Sequence, residues 1–549
     1  MSDNSQVSLY DFENSKEIPE RGESDPMVLF RRAMTYCRQH PGTTLLIPPG
    51  EYILSDDLSK EIRQKVMTGE YGSNPQKVMF HPSFRYTRGI DIEGQRGTKI
   101  LGHGVTLLVD GFMEPVSLRN CEDVSLYGIT VDHKRKPYSK GQVMSAVQRE
   151  DGRYNLNVKL EESCPVTEAS PLQLRAVLYS ANSGKYYPVS QREVRVLDSH
   201  NLLVAVDSDC IPETGERCIG MEYYTLHTLH ARPAILIEAC KNITLEDMTV
   251  HSQPGMGIVA NRNENILIRR LSVVPSCGHH FSTNTDATHF TSTKGLLRLE
   301  NCTFEGQGDD FINVHNYYHT LTPCGGDSCY MHTEAVDGTH SQSLDYPDEG
   351  DLLELTRKDT LSLYDTYQVV KCTPLPEEGR AWIQVDHSLP EPEQCSQYYF
   401  ADITRLPRLE VIGCHAGNHF ARGMLVRTRS ALLEGNTISD VLGPAVFIAA
   451  ETWWSEGVTA QNITVRRNRI TNTRPVEGEA GGIVIKIECA DPRDCPMKNI
   501  VIEDNIIDCP RAEHGIYVRN TDGLTLKRNH TVSQGEPCVI TNCRNVYSE

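Results

Sequence analysis

Three aspartates, Asp286, Asp309 and Asp310, lie in two short motifs whose first acids are 23 residues apart. A stacked β-coil brings residues one period apart to within about 4.8 Å of each other, the spacing of neighbouring strands. Three carboxyl groups in one patch can divide the work of a general acid and a general base between them. Cleavage of a glycosidic bond with inversion needs such a division, with the two carboxyl groups about 6.5–9.5 Å apart so that a water fits between them.

A solvated acidic turn or a calcium site is the other interpretation of the Asp309-Asp310 pair, because most aspartates lie at protein surfaces. Here Gly308 precedes the pair, and Phe311 and Ile312 follow it directly. Acids that emerge from apolar, packed sequence favour a catalytic cluster over a solvated turn.

Polar residues near the acids are candidates for binding a sugar. His289, Asn313 and His315 lie within a few positions of the aspartates, and each is either a hydrogen-bond partner for sugar hydroxyls or a structural corner residue. Arg422 and Glu451 are charged residues in apolar sequence, which indicates either the lining of a pocket or a buried salt bridge.

Trp454 and Lys486 are two further candidates for the pocket. The chain has only three tryptophans, and the flat face of Trp454 would suit the apolar side of a sugar ring. Lys486 is a polar residue in the otherwise apolar run 482–487.

One phrase recurs along the chain: an apolar-x-apolar group, two or three polar residues, and a second apolar pair. Copies begin at Val124, Ile243, Ile266, Leu297, Leu409, Ala431, Ile463, Ile500 and Leu524. Each copy fits two short strands that meet at a turn. Uninterrupted steps are 22 to 24 residues long, and this period with almost no helical pattern predicts an all-β fold, a right-handed parallel β-helix. A leucine-rich repeat is the rival fold, but no copy carries a helical second half.

Asparagines recur at the predicted corners, at Asn436, Asn468, Asn505 and Asn529. Asparagine tolerates the left-handed backbone of a tight corner, and stacked amides can hydrogen-bond along the axis of a coil. We therefore predict left-handed corners at these positions and an amide ladder that joins them.

A cap and two insertions complete the predicted architecture. Asp25-Pro26, followed by apolar positions up to Cys37, predicts an amphipathic N-terminal helix that covers the open end of the β-helix. Alternating patterns such as 154–160 and 351–355 predict two small antiparallel, barrel-like β insertions, and the second is expected to overhang the acids. The predicted division is 1–134 (cap and first coils), 135–228 (first insertion), 229–316 (central coils with the acids), 317–405 (second insertion) and 406–549 (C-terminal coils).

Charge and hydropathy exclude several classes of partner. The net charge of −19, from 54 basic and 73 acidic residues, argues against nucleic acid and anionic membranes. No segment approaches the roughly 20 apolar residues of a membrane span. The polar, acidic first thirty residues predict that this chain has no signal peptide, whether the protein is cytoplasmic or the chain is trimmed.

Most of the 18 cysteines fit small buried hydrophobes in stacked coils. Cys324 and Cys329 flank a Gly-Gly-Asp-Ser loop, where they could instead form a disulfide or bind a metal.

The acidic motifs resemble those of the polygalacturonases, which are inverting β-helix hydrolases with three catalytic aspartates. Asn284-Thr285-Asp286 and Gly308-Asp309-Asp310 carry this resemblance. The Gly-His-Gly and Arg-Ile-Lys motifs of those enzymes are absent from the required places: Gly102-His103-Gly104 lies far upstream, and Ile485-Lys486 lacks the arginine. A pectin substrate is therefore not expected.

A closer resemblance is to glycoside hydrolase family 110, the exo-acting α-1,3-galactosidases that remove terminal galactose from blood-group-B-type and linear α-galactosyl structures. It covers most of the chain. The motifs that carry it are Asp286-x-x-His289-Phe290, Asn301-Cys302, Asp309-Asp310-x-x-Asn313-Val314-His315, Arg422-Gly423, Glu434-Gly435-Asn436 and Glu451-x-x-Trp454-x-Glu456.

This resemblance implies roles for the acids and a setting for the enzyme. Asp309 is the general acid by this analogy, and Asp286 with Asp310 holds the attacking water, while Glu456 joins the candidate substrate-binding residues. The implied substrate is an oligosaccharide or glycoconjugate, without cofactor or metal, for a secreted or periplasmic protein. Because long β-helix faces often dimerise, a homodimer is also among the expectations.

Two other functions remain open at the level of sequence. One is another β-helix hydrolase, or a lyase, that acts on an acidic polysaccharide. The other is a non-catalytic, carbohydrate-binding or adhesive β-helix, which would need no clustered carboxylates.

Overall fold

The computed structural model describes residues 6–13, 25–79, 84–172, 175–207, 218–333, 345–473 and 481–549. Within them the chain winds through successive coils whose strands stack into three parallel ladders. The architecture is a right-handed parallel β-helix, as predicted.

The first ladder contains most of the recurring apolar phrases. Its strands are Gln6–Ser8, Thr44–Leu46, Lys99–Val109, Glu122–His133, Lys241–Glu246, Glu264–Arg269, Lys294–Glu300, Arg408–Ile412, Ser430–Glu434, Gln461–Arg466, Met497–Glu503, Thr521–Lys527 and Arg544–Ser548.

The second ladder follows the corner of each coil and shares the two long strands Lys99–Val109 and Glu122–His133 with the first. Its other strands are Gly50–Leu54, Thr249–Val250, Ser272–Val273, Thr303–Glu305, His415–His419, Thr437–Val441, Arg469–Thr471, Ile506–Cys509 and His530–Ser533.

The third ladder forms the remaining face. Its strands are Arg88–Glu93, Glu114–Arg119, Ile235–Glu238, Ile258–Asn261, Thr288–Thr291, Ile312–Tyr317, Met424–Val426, Val446–Glu451, Gly481–Glu488, His514–Arg519 and Cys538–Thr541. A short strand, Glu456–Gly457, pairs antiparallel with Ile312–Tyr317 and Val446–Glu451.

The repeat phrases fall into register along the first ladder. Ile243 lies beside Ile266, and Ile500 lies beside Leu524. These apolar side chains point inward into one continuous core, and burial of each is worth roughly 1.5–3 kcal/mol. Alternation of apolar and polar residues thus fixes which face of each strand is buried.

The amide ladder is present, but the left-handed corners lie one residue earlier than predicted. Asn436 donates to Asn468 (2.9 Å), Asn468 to Asn505 (3.0 Å) and Asn505 to Asn529 (2.9 Å) between side-chain Nδ2 and Oδ1 atoms. The left-handed φ angles belong to the preceding residues, Gly435, Arg467, Asp504 and Arg528. The prediction that the asparagines themselves are left-handed was wrong. The residue before each asparagine makes the turn, and this turn directs the asparagine side chain along the axis of the β-helix.

The amino end carries the predicted cap. Helix Pro26–Gln39 begins after Asp25, whose Oδ1 accepts a hydrogen bond from the Met27 N–H (3.0 Å), and its apolar side packs on the first coils. Helices Asp57–Met67, Gln76–Met79 and Pro392–Cys395 and the 3₁₀ turns Leu9–Phe12 and Pro376–Glu378 were not predicted. No helix in the described ranges is long and apolar enough to cross a membrane.

Two antiparallel units interrupt the coils. The first is a closed barrel of strands Tyr138–Gln148, Tyr154–Leu160, Arg175–Ser180, Lys185–Asp198, Asn201–Val206 and Glu222–Leu226. The second is a six-stranded sheet of Thr320–Gly325, Ser328–His332, Leu352–Arg357, Leu363–Leu375, Arg380–Val385 and Tyr398–Asp402. The five-part division of the chain at the boundaries given above stays a prediction.

The two cysteines that could have formed a loop disulfide do not pair. Cys324 is exposed, Cys329 is buried, and both are free thiols. Neither belongs to a group of three or more metal-ligating side chains among the described residues.

Candidate active site

The edge of the third ladder positions the acids. His289 pairs with Asn313, and Asn313 pairs with Leu425 on the next coil. Asp286, Asp310 and Arg422 each lie three residues before these partners, so they occupy equivalent positions on three consecutive coils. The backbone confirms this alignment, because the N–H of Ala287 donates to the carbonyl oxygen of Asp310 (2.9 Å).

Gly308 allows the coils to approach closely at this edge. A Cβ atom at position 308 would lie 2.2 Å from the carbonyl oxygen of Asn284 on the preceding coil. The Asn284 side chain is itself held by a hydrogen bond from Nδ2 to the carbonyl oxygen of Thr228 (2.7 Å). A glycine is therefore required where the Asp309-Asp310 motif passes the Asp286 motif.

The three aspartates form one cluster. One carboxylate oxygen from each of Asp286, Asp309 and Asp310 lies within 4.8 Å of the others. Asp286 and Asp310 are buried, whereas Asp309 is partly exposed. The 4.8 Å limit applies to one oxygen atom of each carboxyl group. The separations that distinguish inversion from retention are measured between whole carboxyl groups, so they are a different quantity.

Burial and mutual repulsion govern the charge of the two buried acids. Burial raises the pKa of Asp286 well above its usual range, and the charges of Asp309 and Glu456 raise it further. The pKa of Asp310 is also raised well above its usual range by burial, although the Arg422 guanidinium opposes that shift. Close carboxyl groups in a buried site thus retain protons at pH values where exposed aspartates are ionised.

Arg422 holds Asp310 in place. The Oδ1 atom of Asp310 accepts a hydrogen bond from the Arg422 backbone N–H (2.9 Å), and Oδ2 lies 3.3 Å from Nη2 of the guanidinium. The Nη1 atom of the same guanidinium lies 3.1 Å from Oε1 of Glu451. Arg422 therefore neutralises part of the negative charge of the cluster.

Arg427 is a buried cation that sequence reasoning missed. Its guanidinium is fully buried, pairs with Glu451, lies 2.9 Å from Oε2 of Glu456, and donates to Oδ1 of Asn313 (3.0 Å). A signal was available, because Arg427 is a charged residue directly after the apolar strand Met424–Val426. Glu451 is thereby held by buried ion pairs, the alternative given for it above, and Glu456 is held by the same arginine.

His289 and His315 lie next to Asp286 and use both ring nitrogens within the protein. Nδ1 of His289 lies 2.7 Å from Oδ2 of Asp286, and its Nε2 lies 2.9 Å from Nε2 of His315. Nδ1 of His315 donates to the carbonyl oxygen of Asn316 (2.9 Å). Direct contacts of His289, Asn313 and His315 with sugar hydroxyls stay a prediction.

Phe447 connects the other candidates to the site. The guanidinium of Arg422 and the ammonium of Lys486 each lie 5.4 Å from the centre of its ring. Lys486 also forms an ion pair with Glu488 (2.7 Å). Trp454 lies in the turn between Glu451 and Glu456 with 40 % of its side chain exposed, beside the more exposed Trp453. Its contact with a sugar ring stays a prediction.

The second insertion is attached to the far end of strand Ile312–Tyr317. The Asn316 side chain donates to the carbonyl oxygen of Asp402, and the ring of Tyr318 stacks on Tyr399. The barrel also contacts the coils close to the site, because Tyr186 of the barrel packs against Phe420, two residues before Arg422. The predicted overhang of the acids by the second insertion stays a prediction.

The chain is similar in sequence to proteins named α-1,3-galactosidases. It is 24 % identical to α-1,3-galactosidase B of Parabacteroides distasonis over 537 residues, which cover 90 % of this chain and 82 % of that protein. It is also 24 % identical to α-1,3-galactosidase A of Bacteroides fragilis over 547 residues, covering 93 % and 85 %. No protein-family model matches the chain.

Solved structures with a similar course are β-helix proteins of low identity. The polygalacturonase of Erwinia carotovora ssp. carotovora is 10 % identical, with a TM-score of 0.42 over 100 % of this chain and 96 % of that one. The family 28 exopolygalacturonase of Yersinia enterocolitica is 11 % identical, with a TM-score of 0.40 over 99 % and 78 %.

The sequence comparisons support a glycoside hydrolase. The chain resembles the α-1,3-galactosidases of glycoside hydrolase family 110 over most of its length, with a more distant likeness to polygalacturonase-type β-helix hydrolases.

Proposed function

We propose that the protein is an exo-acting glycoside hydrolase that releases terminal α-1,3-linked galactose with inversion, from blood-group-B-type or linear α-galactosyl glycans. The observation that carries this proposal is the convergence of Asp286, Asp309 and Asp310 on one ladder edge, with oxygens within 4.8 Å of one another. The names of the relatives supply the sugar and the linkage.

The burial of the acids supports a division of roles. Asp309, which is partly exposed, donates a proton to the leaving glycosidic oxygen. Asp286 and Asp310, buried and aligned on adjacent coils, hold the water that attacks the anomeric carbon from the opposite face. A raised pKa makes a carboxylate a stronger base, which suits Asp310 for accepting the proton of this water.

The charge balance around the acids supports a neutral sugar. Five carboxyl groups, those of Asp286, Asp309, Asp310, Glu451 and Glu456, surround the two guanidinium groups of Arg422 and Arg427. Both arginines are paired with carboxylates, and Lys486 is paired with Glu488. A uronic acid would meet net negative charge, so this arrangement favours galactose over the acidic sugars of polysaccharide lyases and polygalacturonases.

The setting of the enzyme follows from its proposed substrate. Glycans with terminal galactose are presented at cell surfaces and on secreted glycoconjugates. We therefore place the protein outside the cytoplasm, secreted or periplasmic.

A proton NMR time course with galactosyl-α-1,3-galactose tests the proposal. We expect β-galactose to be the first product. Initial release of α-galactose would contradict inversion, and absence of release would contradict the linkage or the sugar. A parallel course with the fucosylated blood-group-B trisaccharide shows whether branched and linear glycans are both substrates.

Asp309→Asn is the matched variant for this experiment. We expect it to lower kcat by about 10²–10⁴-fold, because it removes the general acid. Asp508→Asn, at an exposed position of the second ladder, is the control and is expected to keep wild-type activity. An active Asp309→Asn enzyme would contradict the assigned acid.

A further inference from the structure

A chain of three hydrogen bonds leads from the acidic cluster into the core. It joins Oδ2 of Asp286 to Nδ1 of His289 (2.7 Å), Nε2 of His289 to Nε2 of His315 (2.9 Å), and Nδ1 of His315 to the carbonyl oxygen of Asn316 (2.9 Å). The two imidazole rings meet at 88°, and both side chains are buried.

The number of hydrogens that these three hydrogen bonds require can be counted. A carbonyl oxygen only accepts, so the Nδ1 atom of His315 carries a hydrogen. If His315 is neutral, its Nε2 atom accepts, and His289 must donate from Nε2. A neutral His289 then has only an acceptor at Nδ1, facing Oδ2 of Asp286. Three hydrogen bonds need three protons, and two neutral imidazoles supply only two.

We propose that Asp286, His289 and His315 share one additional proton in the resting enzyme, carried by Oδ2 of Asp286, so that Asp310 alone is the catalytic base. This inference rests on the proposed function for the role of Asp310 and on the hydrogen-bond geometry for the proton. It makes His289 and His315 positioning residues that act through Asp286.

The charged groups around these hydrogen bonds favour placement of the additional proton on the carboxyl group of Asp286. Asp310, which is ionised as the base, faces Asp286 from the adjacent coil, and repulsion between the two carboxylates disfavours ionisation of Asp286 as well. Arg427 and Glu456 face the histidines from the following coils, with Glu456 Oε1 3.7 Å from Nε2 of His315.

Burial decides between an imidazolium and a neutral carboxyl group. It lowers the pKa of His289 and lowers that of His315 to about 3, whereas it raises the pKa of Asp286. Arg422, which lowers the pKa of Asp286, does not outweigh this burial.

The proposal specifies which protons move in the reaction and which does not. The water oxygen bonds to the anomeric carbon while its proton passes to the Asp310 carboxylate. The bond from that carbon to the glycosidic oxygen breaks, and this oxygen takes the proton of Asp309. The proton of Asp286 is neither consumed nor released, and its carbonyl oxygen Oδ1 accepts a hydrogen bond from the water.

Infrared difference spectroscopy tests the proton directly, without substrate. The spectrum of the wild type minus that of Asp286→Asn is expected to contain the C=O stretch of a protonated carboxyl group at neutral pH. Absence of that band would overturn the proposal, whether or not the enzyme cleaves galactosides. A band present in an enzyme with no galactosidase activity would instead contradict only the proposed function and the role of Asp310.

His315→Gln tests the origin of the proton. A glutamine amide can donate to Nε2 of His289, which frees His289 to donate from Nδ1 to an ionised Asp286. The band is therefore expected to disappear at a pH lower by about one unit, the value of one hydrogen bond. An unchanged pH of disappearance would overturn the proposal. His227→Gln, a buried histidine of the barrel, is the control and should leave the band unchanged.

Nitrogen-15 NMR of labelled histidines gives a second measurement on the wild type. His289 is expected as the neutral tautomer with hydrogen on Nε2 and His315 as the neutral tautomer with hydrogen on Nδ1. Signals are assigned by their loss in His289→Asn and His315→Gln. Hydrogen on Nδ1 of a neutral His289 would overturn the proposal.

Discussion

Arg427 is the residue on which the site depends most heavily for charge compensation. It is fully buried and contacts Glu451, Glu456 and Asn313. Removal of one partner from a buried ion pair leaves an uncompensated charge, which is more costly than the net value of the pair itself. The arginine therefore stabilises the fold and positions Glu451, which shares Arg422 with Asp310.

Arg427→Met is expected to lower the free energy of unfolding by about 3–5 kcal/mol, because two buried carboxylates lose their cation. Urea denaturation measures this change. Arg408→Met is the control: Arg408 is 61 % exposed, and its partner Glu410 keeps a second ion pair with Arg298, so its loss should be within about 1 kcal/mol. Equal losses in the two variants would contradict the role of Arg427.

The acid limb of activity is expected to follow Asp310. The reaction needs Asp310 as a carboxylate, so kcat/KM falls as pH decreases through its pKa. Because burial raises that pKa above the usual range, the fall should begin at a higher pH than for an exposed aspartate, whose pKa is about 3.9. A pH profile of kcat/KM measures it.

Arg422→Met provides the matched test of this prediction. Arg422 lowers the pKa of Asp310, so its removal should move the acid limb to still higher pH. Lys486→Met is the control, since Lys486 contacts the same Phe447 ring but pairs with Glu488. A limb that stays in place in Arg422→Met would exclude Asp310 as the titrating base.

At the scale of elements, the asparagine ladder holds the C-terminal coils in register. Asn468 is buried and accepts at Oδ1 from both the backbone N–H and the Nδ2 of Asn436. Its own Nδ2 donates to Asn505 and to the carbonyl oxygen of Leu433. One side chain thus satisfies backbone groups on neighbouring coils, which apolar packing cannot do.

Asn468→Ala is expected to reduce the free energy of unfolding by about 3 kcal/mol, because several buried polar groups lose their partners. Thermal or urea denaturation measures the change. Asn182→Ala, at an exposed position of the barrel, should cost less than about 0.5 kcal/mol. A loss at Asn468 no larger than that of the control would mean that the ladder contributes nothing to stability.

At the scale of the whole molecule, buried histidines make stability depend on acid. His133, His227 and His419 are fully or almost fully buried in different parts of the chain. Burial lowers their pKa values from 6.5 to about 4, 3 and 4. Each therefore contributes stability that is fully present above about pH 6.5 and lost as pH falls towards the folded pKa.

His227→Gln isolates one of these contributions. As pH falls below about 6.5, the wild type should lose stability relative to this variant by up to about 1.4 kcal/mol for each pH unit. Urea denaturation of both proteins across that range measures the difference. A difference that does not change with pH would contradict the neutral, buried state of His227.

The sequence by itself determined the coils and the grouping of the acids. Each repeat phrase alternates apolar and polar residues with a constant period, so the positions that pair, such as Ile243 with Ile266, could be named in advance. The spacing of Asp286 and Asp309 placed them one coil apart for the same reason. The stacked asparagines followed as well, although not the residue that turns the backbone before each of them.

Only the tertiary structure decided how the site is charged. Asp310 and Arg422 are separated by 112 residues and by the second insertion, and Arg427 meets Asn313 across 114. Such contacts, and the burial that shifts the pKa of Asp286, depend on which side chains face each other across coils. Local patterns specify the strand and its buried face, whereas charge, hydrogen-bond direction and proton location emerge only when distant coils are brought together.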